Sequence, residues 1–253
     1  NLLDITVDGR RVKAVAQVTK QGFVYTFNRI TGEPIWPIEE RAVAVDTDLN
    51  GEVLAPTQPF PTKPPAFDEQ GATLDDLVDF TPEIRAMAVT AVNGFRLGPL
   101  YTPLSLNGTI FRPSAGGGAN WSGAAVDPET GVLYVPSRNV HSVMRFRDPE
   151  PEEPSTLQYI LSRGNASFIE AGNPVRRPVM PQGLPLWKPP YSRMTAIDMN
   201  RGEHLWMTPL GNGDRYRNHP LLRDLDLPPL GGDDSRSGPL LTKTLLIHAL
   251  TAG

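Results

Sequence analysis

The sequence predicts an all-β chain of propeller type. Three observations carry that expectation: apolar runs that are short and rich in β-branched and aromatic residues, explicit hairpin turns between them, and a hairpin motif that recurs along the chain. The runs fall at 13–19, 23–27, 124–126, 132–135 and 240–247. Each is strand-length and bounded by turn residues. Thr19-Lys20-Gln21-Gly22, Asn107-Gly108 and Asp127-Pro128-Glu129-Thr130-Gly131 supply the connections, with Asn107-Gly108 expected to join 104–106 to 109–111. Helical periodicity is confined to a short turn at 82–88, with Thr81 as its cap.

The recurrence turns a list of strands into an architecture. Residues 26–36 align with 196–206, placing Asn28 on Asp198, Gly32-Glu33 on Gly202-Glu203, and Trp36 on Trp206. Residues 125–135 are a third, weaker copy. Each copy reads as a strand, a tight turn opened by Asp or Asn with Gly supplying positive φ, and a second strand; in two copies this carries a Trp. A propeller blade is such a sheet, and it buries its faces only against neighbouring blades, so Trp36 and Trp206 are expected to be structural and buried between sheets. Independent convergence of two hairpins on one Gly-Glu turn is the plainer alternative.

Composition narrows the function. A chain of 253 residues with 39% hydrophobic content can bury a core, and its 27 Pro and 23 Gly indicate many turns and long ordered loops. The Pro-rich stretches 55–82, 148–190 and 209–232 are followed by renewed strand signals and read as loops extending from blades, so 1–253 is taken as one partial domain. A net charge of −4 without a basic stretch argues against nucleic acid as a partner. The absence of cysteine excludes disulfides and thiolate ligands here, and His141, His204, His219 and His248 lack metal-ligand spacing. No run approaches a membrane span, so membrane association is expected only through other segments. The opening at Asn1 and the apolar end at 245–250 read as cuts within a larger domain.

Several collinear segments resemble the pyrroloquinoline-quinone (PQQ)-dependent dehydrogenases, most closely the glucose dehydrogenase branch. They are 15–29 with Thr31-Gly32-Glu33-Pro34, Pro56-Thr57-Gln58-Pro59-Phe60, Gly98-Pro99-Leu100-Tyr101-Thr102-Pro103, Gly117-Gly118-Ala119-Asn120-Trp121-Ser122-Gly123, and 195–206. The resemblance implies an eight-bladed propeller of which this chain is about half. It also implies PQQ bound beside Ca²⁺, hydride transfer from an aldose or alcohol, and a quinone or cytochrome as electron acceptor. A periplasmic location follows from the same resemblance, with any inner-membrane tether outside this segment. The family's general base and metal ligands have no counterpart in the sequence and are expected upstream.

Three residues are singled out. By spacing alone Lys20 is a solvated turn lysine; the resemblance makes it the cation beside the reactive quinone oxygens, where it would stabilise the charge that hydride transfer creates. Asn120 and Trp121 follow Gly116 to Gly118, small residues that permit close approach to a planar ligand, and the resemblance places this pair at the cofactor. Asp127 and Asp198 open Gly turns and read as turn caps rather than bases. Two other functions fit less well. A non-catalytic propeller scaffold needs neither the long loops nor the segments around Lys20 and Asn120, and a glycoside hydrolase needs a distinctive carboxylate pair.

Overall fold

The computed structural model describes residues 1–119, 121–163, 178–234 and 237–252. Strands β1 (Leu2–Val7), β2 (Arg10–Val18) and β3 (Val24–Asn28) form an antiparallel meander. Alternate residues point inward, burying Leu3, Ile5, Ala14, Ala16, Val18, Val24 and Thr26. Strand β4 (Ile38–Ala42) pairs with β5 (Thr57–Pro61). Helix α1 (Pro82–Val92) extends beyond the short turn expected, because Ile84, Ala88 and Val92 recur on one buried face. Its start is as anticipated, the Ile84 N–H donating to the Thr81 hydroxyl at 3.2 Å.

Strands β6 (Thr109–Phe111), β7 (Ala125–Asp127), β8 (Val132–Arg138), β9 (Ser142–Arg147) and β10 (Ile160–Arg163) are followed by β11 (Ser192–Asp198) and β12 (Glu203–Pro209). They sort into a sheet of order β10-β9-β6 and a four-stranded sheet of order β12-β11-β8-β7. Residues 104–106 do not form the strand expected before Asn107-Gly108, although that pair does turn, with the Gly108 N–H donating to Ser105 O. Near the end, β13 (Asp233–Asp234) pairs with β16 (Leu250–Ala252), and β14 (Leu240–Leu241) with β15 (Leu246–Ile247). The single run read at 240–247 is therefore a hairpin, broken because Thr242 and Leu245 close a turn through main-chain and hydroxyl bonds.

Two cores hold the sheets. One joins Leu3, Ile5, Ala14 and Val24 of the first meander to Leu133, Val135, Ile197 and Met199, with Phe67 between them, so two blades meet face to face. The other seats α1 on Ile110 and Val143 of the second sheet, under Met180, Leu184, Leu186 and Trp187. The sheets do not close into a ring, and the fold is that of a partial propeller.

The repeated hairpins share one turn geometry. Asn28, Asp127 and Asp198 each accept, through their side chains, the N–H two residues on at 2.8–2.9 Å. Gly32, Gly131 and Gly202 each donate to the opening residue's carbonyl at 2.7–2.9 Å, with φ of +80°, +74° and +67°. These turns gather at one rim, where Asn200 Oδ1 accepts from Thr6 N at 2.9 Å and Nδ2 donates to Thr130 O at 2.9 Å. The tryptophans differ. Trp36 is half-buried, its ring 3.1 Å from where a Cβ on Gly202 would lie, so it docks on the turn of another blade. Trp206 is 43% exposed on the outer strand β12, resting only partly on Tyr134. The burial expected for it is not met because no further sheet covers that face among the described residues.

This packing separates two effects of one substitution. Gly32→Ala places a Cβ in open space, whereas Gly202→Ala also drives one against Lys63 and Trp36. Both should lose about 1–2 kcal/mol to left-handed strain, and Gly202→Ala a further ~1–3 kcal/mol to overpacking. Urea denaturation of the two variants measures the difference; equal losses would contradict the docking of Trp36.

Candidate cofactor pocket

The rim opposite the repeated turns carries the hairpin tip Thr19-Lys20-Gln21-Gly22. Thr19 closes it, its N–H and hydroxyl both donating to Phe23 O at 2.9 Å. Gly22 is required there, with φ +86° and Asp68 Cβ 3.1 Å from the position of a Cβ. Lys20 is left exposed at the tip, with no hydrogen bond or ion pair among the described residues.

A strap formed by residues 67–71 fastens this tip to the neighbouring blades. Phe67 N donates to Gly22 O at 2.9 Å, and Gln70 Nε2 to Gln21 O at 2.7 Å. At its far end Gly71 exchanges two bonds with Arg112, 2.9 Å from its N–H to Arg112 O and 2.8 Å from Arg112 Nε to its carbonyl. Between these anchors the Asp68 carboxylate fills the space over Gly118, where a Cβ would overlap Oδ2. The strap thus touches every segment that the sequence nominated for cofactor binding.

Lys20 and Arg112 border a cavity of about 310 Å³ whose walls include Tyr101, Leu104, Phe111 and Met144, with Ser114 and Ala115 leading into the glycine loop. The two cations are held differently. The Arg112 side chain is 3% exposed, faces Asp76 at 2.9 Å, donates to Asn139 Oδ1 at 3.2 Å, and lies 4.4 Å over the Trp187 ring. Burial opposes ionisation of Asp76, but the Thr73 hydroxyl and Arg112 outweigh it and hold this carboxyl below its usual range. Arg112 is therefore a fixed charge with its donors committed, while the Lys20 ammonium is available to a ligand.

Trp121 does not line this cavity; it is 88% exposed, with φ +73°. Asn120 lies outside the described residues. Of the residues singled out in the sequence, the structure places Lys20 at the cavity and separates Trp121 from it. Arg112, Asp68 and Tyr101 were missed as site residues. Arg112 and Asp68 stand beside prolines and charges that give no motif signal, whereas Tyr101 lies within 98–103, one of the segments that carry the resemblance. No group of three or more His, Cys, Asp or Glu suited to a metal occurs among the described residues.

An apolar-walled cavity with one committed and one uncommitted cation suits a planar anionic ligand, and it sits at one rim of a partial propeller. Over residues 1–252 the sequence matches the family described as PQQ, glucose/ethanol/alcohol dehydrogenase, beta-propeller domain, and the chain belongs to that family. It is 27% identical over 245 residues to a quinate/shikimate dehydrogenase (quinone) of Acinetobacter baylyi, covering 92% of this chain and 30% of that one. It is 28% identical over 254 residues to the glycerol dehydrogenase large subunit of Gluconobacter oxydans, covering 93% and 33%. It is 26% identical over 258 residues to the quinoprotein glucose dehydrogenase of Escherichia coli, covering 95% and 31%. The chain spans about a third of the length of these relatives.

Asp68 gives the strap a measurable electrostatic signature. Its side chain is 1% exposed and Oδ2 has no hydrogen-bond partner. Burial pushes its pKa up to about 7, against the opposing pull of Arg193 3.8 Å away, whose other carboxylate partner is Glu69 at 2.9 Å. The folded state thus binds the proton more tightly than the unfolded chain. Asp68's contribution is most favourable below its unfolded value of 3.8 and is lost as pH rises to about 7. Asp68→Asn removes the charge and keeps the shape. The variant should melt several degrees higher than the parent at pH 7.5, and the gap should shrink as pH falls toward 4. A pH-independent gap, or a lower melting temperature at pH 7.5, would contradict this account.

Proposed function

We propose that the chain forms part of a PQQ-dependent dehydrogenase that oxidises a CH–OH group of a sugar or other alcohol and passes the electrons to a quinone or a cytochrome. The observation that carries this reading is the unpaired Lys20 ammonium at the mouth of an apolar cavity beside buried Arg112. PQQ is planar and carries carboxylates and carbonyl oxygens, so the cavity's charge and its aromatic wall fit it. Bound there, PQQ would supply the hydride acceptor. Ca²⁺ belongs to the same proposal, with its ligands outside the described residues.

The chain's own residues bind and orient the cofactor and balance its charge. Arg112, locked by Gly71, Asp76 and Asn139, keeps a static positive potential that does not reorganise during the reaction. Lys20 would donate to an oxygen of the bound cofactor and balance negative charge developing there, which would lower the barrier more than it tightens ground-state binding. The relatives are named for quinate and shikimate, glycerol, and glucose, and a hydroxyl-bearing carbon is common to all. A scaffold propeller would have no use for a cation held at such a cavity.

In the full-length enzyme, Lys20→Ala should lower turnover by about 10²–10³-fold, with the melting temperature unchanged because Lys20 contributes nothing to either core. Lys20→Arg should keep part of the activity, retaining charge but changing donor geometry. Steady-state kinetics at saturating PQQ and Ca²⁺, with glucose, glycerol and quinate as substrates, tests this. Near-normal turnover in the alanine variant would return Lys20 to the role of a solvated turn residue.

A further inference from the structure

Tyr101 occupies a backbone conformation that its side chain disfavours. Its φ is +69°, the left-handed region that a Cβ makes costly and that turns normally fill with Gly or Asn. The turn is closed by Thr102, whose N–H and hydroxyl donate to Pro99 O at 3.1 and 2.7 Å, and Tyr101 stands at the position where positive φ is needed. Glycine would satisfy this backbone without strain, so the ring has to be explained by something other than the turn.

The ring lines the cavity that Lys20 borders and is held rigidly there. Phe60 meets it edge to face, with centroids 5.6 Å apart and planes at 84°. Phe60 is fixed in turn by Phe23 at 5.6 Å, at the foot of the Lys20 hairpin. The Gln21 side of the hairpin lines the same cavity beside Tyr101. One face of the cavity is therefore an aromatic plate whose orientation is set by the same hairpin that presents the ammonium. A strained residue whose side chain is clamped toward a cavity is a common device for preorganising a ligand site.

We propose that Tyr101 is a cofactor-contact residue, its ring forming the wall against which the planar cofactor packs while Lys20 meets the cofactor's oxygens. This rests on the dehydrogenase reading given above. An offset or edge-on aromatic contact of this kind, added to the area it buries, corresponds to a change of roughly 3- to 10-fold in affinity.

The test is an equilibrium titration of the cofactor-free full-length protein with PQQ in the presence of Ca²⁺, followed by circular dichroism of the bound cofactor, with a melt of each variant. Tyr101→Phe should bind within about twofold of the parent. Tyr101→Leu should bind roughly 3- to 10-fold more weakly. Tyr101→Asn, which suits the positive φ, should melt no lower than the leucine variant and bind as weakly, separating loss of contact from loss of fold. Leucine or asparagine variants that bind like the parent would overturn the inference while leaving the dehydrogenase reading intact. A phenylalanine variant as weak as leucine would transfer the role to the hydroxyl and overturn the ring contact. Failure of the parent itself to bind PQQ would remove both proposals together.

Discussion

The face-to-face packing of the first meander on the four-stranded sheet is the contact on which the rest depends. It is possible because Ala14 and Ala16 of β2 are fully buried, letting the two sheets approach over Leu133, Ile197 and Phe67. Small residues at the centre of such a contact with branched ones around them give close packing without voids. Once the sheets are set, the directions of their strands assign every connection to one of two rims. The Gly turns gather at one rim, tied by Asn200, and the Lys20 tip, the strap and the glycine loop at the other. The site is thus a consequence of blade packing, since its walls come from segments far apart in sequence.

Much of this was legible in the sequence because it is local. Asn28, Asp127 and Asp198 announce their turns through bonds spanning two residues, and Gly32, Gly131 and Gly202 through a conformation that few other residues adopt easily. The same holds for Thr81, whose hydroxyl acts three residues on. What escaped was long-range. Leu2–Val7 alternates Leu3, Ile5 and Val7 with Asp4 and Thr6, but its place in the sheet is set by its pairing with β2. The exposure of Trp206 depends on what lies across from β12, which no local pattern encodes. Lys20 was identified by a motif, but Asp68 and Arg112 gain their meaning only from what they meet: Gly118 and Arg193 for the former, Asp76, Asn139 and Trp187 for the latter.

Several residues around the strap and cavity work against stability. Asp68 is a buried carboxyl with an unpartnered oxygen, Arg193 carries Nε and Nη2 without hydrogen bonds, and Tyr101 holds a left-handed backbone. Each feature is unfavourable alone, and a chain selected for stability alone would replace them with Asn, an apolar side chain and Gly. Unpartnered buried polar atoms occur on the blades as well, at Thr26, Ser137 and Arg145, and Arg193 itself belongs to β11; Asp68, Arg193 and Tyr101 stand apart in meeting the strap or the cavity beside it.

Two cations that border the same cavity are handled differently. A guanidinium held by Gly71, Asn139 and its ion pair with Asp76 cannot follow charge as it shifts during a reaction; it sets a potential and serves as wall between the Lys20 cavity and Trp187. An ammonium on a flexible stem, with no partner of its own, can form a bond that strengthens only when charge develops. Exchanging the two roles would fail on both counts. A buried lysine lacks the planar fork that meets Gly71, Asp76 and Asn139 together, and an arginine at the hairpin tip would trade a compact donor for such a fork. The arrangement follows from the strap. Gly71 accepts from Arg112 Nε, and Gly22 and Gln21, bonded to Phe67 and Gln70, hold the tip so that Lys20 projects with no ion-pair partner among the described residues.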